Sequence, residues 1–80
     1  MRNLQTLLFP ALIAVATDAR GDRGVRVNAI TSLGQMRAPD AADLMTKLLD
    51  DPAVSTNAAI ALYRITGKKV AQFPEGYNAD

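Results

Sequence analysis

The chain has 80 residues, room for one small domain, and its 49% hydrophobic and 21% charged composition is that of a folded globular unit rather than a disordered one. Nine basic against eight acidic residues exclude a strongly basic nucleic-acid arm or an acidic tail as the main theme. Histidine and cysteine are both absent, which removes zinc sites, Cys or His nucleophiles, thiol redox chemistry and disulfides.

Apolar residues recur at helical spacing almost throughout, and strand-like alternation never lasts. The first helix is expected from about Leu4 to Thr17, with Asn3 as its N-cap. Leu4, Leu7, Leu8, Leu12 and Val15 form its stripe, and Phe9, Ile13 and Ala16 widen it, so the helix should be buried on most sides. Pro10 either kinks this helix or starts a shorter one. A polar, glycine-punctuated loop follows from Asp18 to Gly24. The second helix is predicted from about Arg23 to Met36, capped by Asp22. Val25, Ala29, Ile30 and Leu33 should be buried, Arg26 and Gln35 should face water, and Gly34 falls inside or at the end.

Pro39 or Asp40 opens a third helix to about Asp50, carrying Leu44, Met45, Leu48 and Leu49 inward. Asp51-Pro52 reads as a cap followed by a first-turn proline, opening a fourth helix to about Thr66 with Val54, Ala58, Ala61, Leu62 and Ile65 as its stripe. Gly67 is the stop, and Lys68 and Lys69 complement the negative end of the dipole. Residues 68–80 read as a non-helical tail on a helical domain of residues 1–67.

The sequence matches itself at an offset of 29. Asp22, Val25, Asn28, Ala29 and Leu33 fall on Asp51, Val54, Asn57, Ala58 and Leu62. A two-helix unit repeating every thirty residues or so is the mark of a solenoid. The segment Leu8-Phe9-Pro10-Ala11-Leu12-Ile13, then Asp22, Val25-Arg26, Ala29 and Leu33-Gly34, resembles a HEAT repeat of the short bacterial type, related to repeats in phycobilisome lyases. A second copy is similar across Pro39-Asp40-Ala41, Leu48-Leu49, Asp51-Pro52, Val54, Ala58-Ala59 and Ala61-Leu62. It departs at Ser55, where the first copy has Arg26, and at Tyr63, which replaces glycine. The resemblance implies an all-α fold of two helix–turn–helix repeats stacked as a short right-handed solenoid. It also implies a non-catalytic scaffold that binds other macromolecules on its helical faces. Chromophore-lyase activity belongs to a few members, and nothing in this chain marks it.

Arg20, Arg23 and Arg26 gather at the start of the second helix, where free N–H groups favour an anion such as phosphate. Asp18 and Asp22 interleave with them and cancel much of the field, and in the repeats this chain resembles the arginine at Arg26 braces a turn by pairing with an acid. Asn28 and Asn57 hold equivalent positions, either as a ladder for a partner's backbone or as local partners of loop carbonyls. Asp40, Asp43, Asp50 and Asp51 lie at helix starts, where capping accounts for them. Phe73 and Tyr77 should pack on helical surface around Leu62 and Ile65, or on a neighbouring chain.

No residues for catalysis, a cofactor or a metal stand out. The binding candidates are Arg23, Arg26, Asn28, Asn57, Phe73 and Tyr77. A core this small rarely supplies more than about 3–5 kcal/mol, so a protein partner, a parent protein or a homodimer is expected to support it. Nucleic acid is the rival ligand, disfavoured by the charge balance. Met1-Arg2 before the apolar run Leu7–Ala16, with Ala14-Val15-Ala16, has the form of a secretory signal. The repeat's first helix explains the same residues, which favours the cytoplasm and leaves export open. The run is too short for a membrane span, which needs about 20 apolar residues.

Overall fold

The computed structural model describes the backbone of residues 4–78 and the side chains of residues 8–78. Its elements are α1 (Leu4–Thr17), α2 (Arg23–Gln35), a 3₁₀ turn (Pro39–Ala41), α3 (Ala42–Leu48) and α4 (Ser55–Thr66). Among the described residues there is no strand. Short loops return the chain after α1 and α3, so α1/α2 and α3/α4 are helical hairpins. The two hairpins stack mainly through α2 against α4. The molecule is 18 Å across its thinnest axis, which is two helix layers. The fold is all-α, a short two-repeat stack.

Each boundary has a local cause. Asp22 caps α2, its Oδ2 accepting the N–H of Val25 at 3.0 Å. After α2, Arg37 takes a left-handed conformation (φ 51°), and the N–H groups of Arg37 and Ala38 return to the carbonyls of Gly34 and Leu33. Ala38 is extended, as a residue before proline must be, and Pro39 then opens the 3₁₀ turn into α3. Gly67 ends α4 with φ 77°.

Several expectations need correction. Pro10 lies inside a continuous α1, so it does not start a shorter helix. From Leu8 to Thr17 only Ala16 of α1 is fully buried, and Leu8 is 49% exposed, so α1 is not enclosed on most sides. Asn3 and the side chains of Leu4 and Leu7 lie outside the described residues. α3 ends at Leu48 rather than near Asp50, and α4 begins at Ser55 rather than at Pro52. At the junction Val54 leaves helical geometry (φ −135°, ψ 8°), in a turn whose Ala53 carbonyl accepts Arg23 Nε at 2.8 Å. Neither the 3₁₀ turn nor α3 has a side-chain cap, so Asp40 and Asp43 are exposed acids near helix starts and not caps.

The core is Ala16, Ala29, Ile30, Leu33, Ala41, Met45, Leu48, Val54, Ala58, Ala61 and Leu62. Five of these are alanine, which lets the helices approach closely. The closest approach is at Gly34, where a Cβ would stand 2.9 Å from both Cα and Cβ of Ala61 on α4.

Candidate interaction surfaces at the two ends of the stack

Arg26 holds the repeats together. It is 3% exposed, which overturns the expectation that it faces water. Its Nε donates to the carbonyl of Ala16 at 3.2 Å, in the last turn of α1, and one terminal nitrogen donates to Asp51 Oδ2 at 2.9 Å. A planar guanidinium suits this position, since one side chain satisfies a helix-end carbonyl and a carboxylate at once. The other Asp51 oxygen accepts the N–H of Ala53 at 3.1 Å. The Arg26 hydrogen bond, and next the Ala53 N–H, hold the Asp51 carboxyl below its ordinary value of 3.8, against an opposing desolvation. One turn back, Arg23 clasps the same segment through Ala53. The turn Asp51–Val54 is thus seated on the first turn of α2.

The sequence grouped Arg20, Arg23 and Arg26 as an anion site, but the structure does not bring them together on a ligand. Arg23 and Arg26 are spent on Ala53, Ala16 and Asp51, and of the three it is Arg20 whose guanidinium makes no hydrogen bond to the described residues. Asn28 is exposed, while Asn57 is half-buried with its Oδ1 out of solvent and unpartnered. The two asparagines therefore occupy unlike environments. No pocket opens among the described residues, and no group of three or more His, Cys, Asp or Glu is placed to hold a metal ion among them. No helix among them is long and apolar enough to cross a membrane.

The two ends of the stack differ. At the trailing end, beyond α4, the tail folds back through two tight turns. The N–H of Phe73 donates to Val70 at 3.0 Å, and that of Tyr77 to Pro74 at 3.2 Å. The second turn carries Gly76 at φ 79°, the left-handed geometry a glycine supplies without strain. These turns set Phe73 edge-on to Tyr63, with centroids 5.2 Å apart, and Tyr77 edge-on to Phe73 at 6.0 Å. Lys69 Nζ lies 5.1 Å from the Phe73 ring and 5.6 Å from the Tyr63 ring. The ring contact on α4 is made by Tyr63, the neighbour of the expected Leu62. Phe73 is half-buried, Val70 joins the core and Tyr77 stays 41% exposed.

At the leading end the sequence equivalents part company. Val25 is 52% exposed, a correction to its place in the buried stripe, whereas Val54 is 1% exposed. The pattern repeats along the helix. Asn28 is exposed where Asn57 is half-buried, and Ser32 is half-buried where Ala61 is fully buried. Sequence reasoning missed this because the two copies carry near-identical residues. What differs is the cover that α2 gives the second copy at Asp51 and Ala61.

No curated protein and no solved structure matches the chain. A family model described as HEAT repeats matches residues 9–73, from within α1 through α4 to the first turn of the tail. Two stacked helical hairpins, a period of 29 residues and a match over most of the chain agree: the chain belongs to the HEAT-repeat family.

Proposed function

We propose that this protein is a non-catalytic protein-interaction or assembly module. The observation that carries the reading is the match to HEAT repeats across both hairpins, since such repeats generally serve as protein-binding scaffolds and are generally non-catalytic. The fate of the polar side chains supports it. Arg23, Arg26 and Asp51, the residues best suited to chemistry or to an anion, are used to fasten one repeat to the next. What remains for a partner is exposed surface, including the apolar groups Leu8 and Val25 on the helices and Tyr77 on the tail.

Nucleic-acid binding is the weaker reading. It needs a set of free cations along one face, and two of the three clustered arginines are engaged inside the fold. In-cell cross-linking of the intact chain, followed by sedimentation of the purified adduct, separates the classes. The proposal expects a protein adduct of fixed stoichiometry. A nucleic-acid adduct, with micromolar binding at physiological salt that falls steeply as salt rises, would overturn it.

A further inference from the structure

The inference starts from the internal repeat. The turn before α4 and the first two turns of α4 carry Asp51, Val54, Asn57 and Ala61, and α2 meets this stripe at Asp51 and at Ala61. Val54 and Ala61 are buried, the Asn57 Oδ1 is shut off from water, and Asp51 receives Arg26. Moving back by 29 residues gives Asp22, Val25, Asn28 and Ser32, one stripe along α2 at a helical spacing. This stripe has the same chemistry and no cover. Val25 and Asn28 are exposed, and Ser32 is half-buried. Like Asp51, Asp22 has one carboxylate oxygen taken by a local N–H, here that of Val25 three residues on rather than two, and its other oxygen has no hydrogen bond among the described residues.

The occupant is specified by what sits on the equivalent stripe inside the chain. α2 brings Arg26 to Asp51 at its first turn and Gly34 to Ala61 two turns later, where a Cβ would collide. A second copy of this chain stacked head-to-tail cannot supply these groups. In α4 the positions of Arg26 and Gly34 are held by Ser55 and Tyr63, and Phe73 lies against Tyr63. The trailing end is partly covered by its own aromatic groups, and the leading end presents the Asp22 carboxylate at the point where an arginine is wanted.

We infer that the stripe Asp22, Val25, Asn28 and Ser32 is a docking face for the arginine-bearing end of another HEAT-type repeat, seated as α2 seats on α4. The partner's second helix carries arginine in its first turn, aimed at the free oxygen of Asp22, and a glycine or other small residue two turns on, opposite Ser32. This inference deepens the reading as a protein-binding module and rests on it, but its test needs no natural partner, so each can fail alone.

The test is a tandem chain, residues 1–38 fused to residues 10–80. The fusion places the leading copy of Arg26 and the following copy of Asp22 25 residues apart, the separation of Arg26 and Asp51. It also sets Pro10 after Ala38, where Pro39 stands in the native chain. The expected result is a melting temperature at least about 5 °C above that of the native chain. Arg26→Ala in the leading copy and Asp22→Ala in the following copy should be non-additive, each abolishing the effect of the other. Equal or lower melting, additive effects, or a tandem that fails to fold would overturn the inference. A second measurement uses the intact chain. Val25→Glu should leave its sedimentation unchanged, because the face is uncovered in the isolated protein. If the native chain is a dimer that Val25→Glu splits, the occupant is a second copy and the inference fails.

Discussion

Gly34 is the residue on which the stacking distance depends. Alanine would ordinarily favour the interior of a helix by about 1 kcal/mol. Here the added methyl would meet the Ala61 backbone at 2.9 Å, and α4 would have to move. Overpacking of that kind costs about 1–3 kcal/mol, so Gly34→Ala should destabilise the protein in urea titration despite the gain in propensity. A more stable variant would mean that the helices are not in close contact there.

Asp51 carries a pH signature. Its folded carboxyl is held below the ordinary value of 3.8, first by Arg26 and then by the N–H of Ala53. A depressed folded value contributes stability that is complete above the unfolded value and is lost as pH falls through the folded one. Melting of the native chain should therefore fall as pH drops below about 4, and Asp51→Asn should flatten that part of the curve. An unchanged acid limb in Asp51→Asn would show that the pair with Arg26 does not form.

At the scale of the element, the tail is the test case. Phe73 packs on Tyr63 and Val70 on the core, in a molecule where five of the eleven core residues are alanine. Burying one large apolar side chain is worth about 1.5–3 kcal/mol, and Phe73 is only half-buried. Phe73→Ala should then cost about 1–2 kcal/mol, by scaling that range to the burial, and deletion of residues 71–80 should cost at least as much. Equal melting of native and truncated chains would make the tail a linker.

Helix position was largely legible in the sequence because the signals are local. Asp22 before an apolar stripe, Ala38-Pro39 and Gly67 each fix a boundary through their own backbone geometry. The start of α4 was not legible, since Val54 leaves helical geometry in a turn that Arg23 contacts from thirty residues away. Arg26 was misplaced for the same reason: its charge argues for water, and its burial requires Asp51 and the Ala16 carbonyl, brought together only by stacking. Val25 is the converse case. Its pattern is that of a core residue, yet it is 52% exposed where its counterpart Val54 is buried.

Across the whole molecule, the stripe on the second repeat is covered by α2, and the equivalent stripe on the first repeat is exposed among the described residues. The absence of native cysteine allows a direct measurement, the rate at which a thiol reagent labels single cysteines placed at the equivalent positions 25 and 54. An open leading face predicts that Val25→Cys reacts nearly as fast as an unfolded control, while Val54→Cys is slowed by orders of magnitude and reacts only as fast as the protein opens. Equal protection at the two positions in the isolated chain would contradict it.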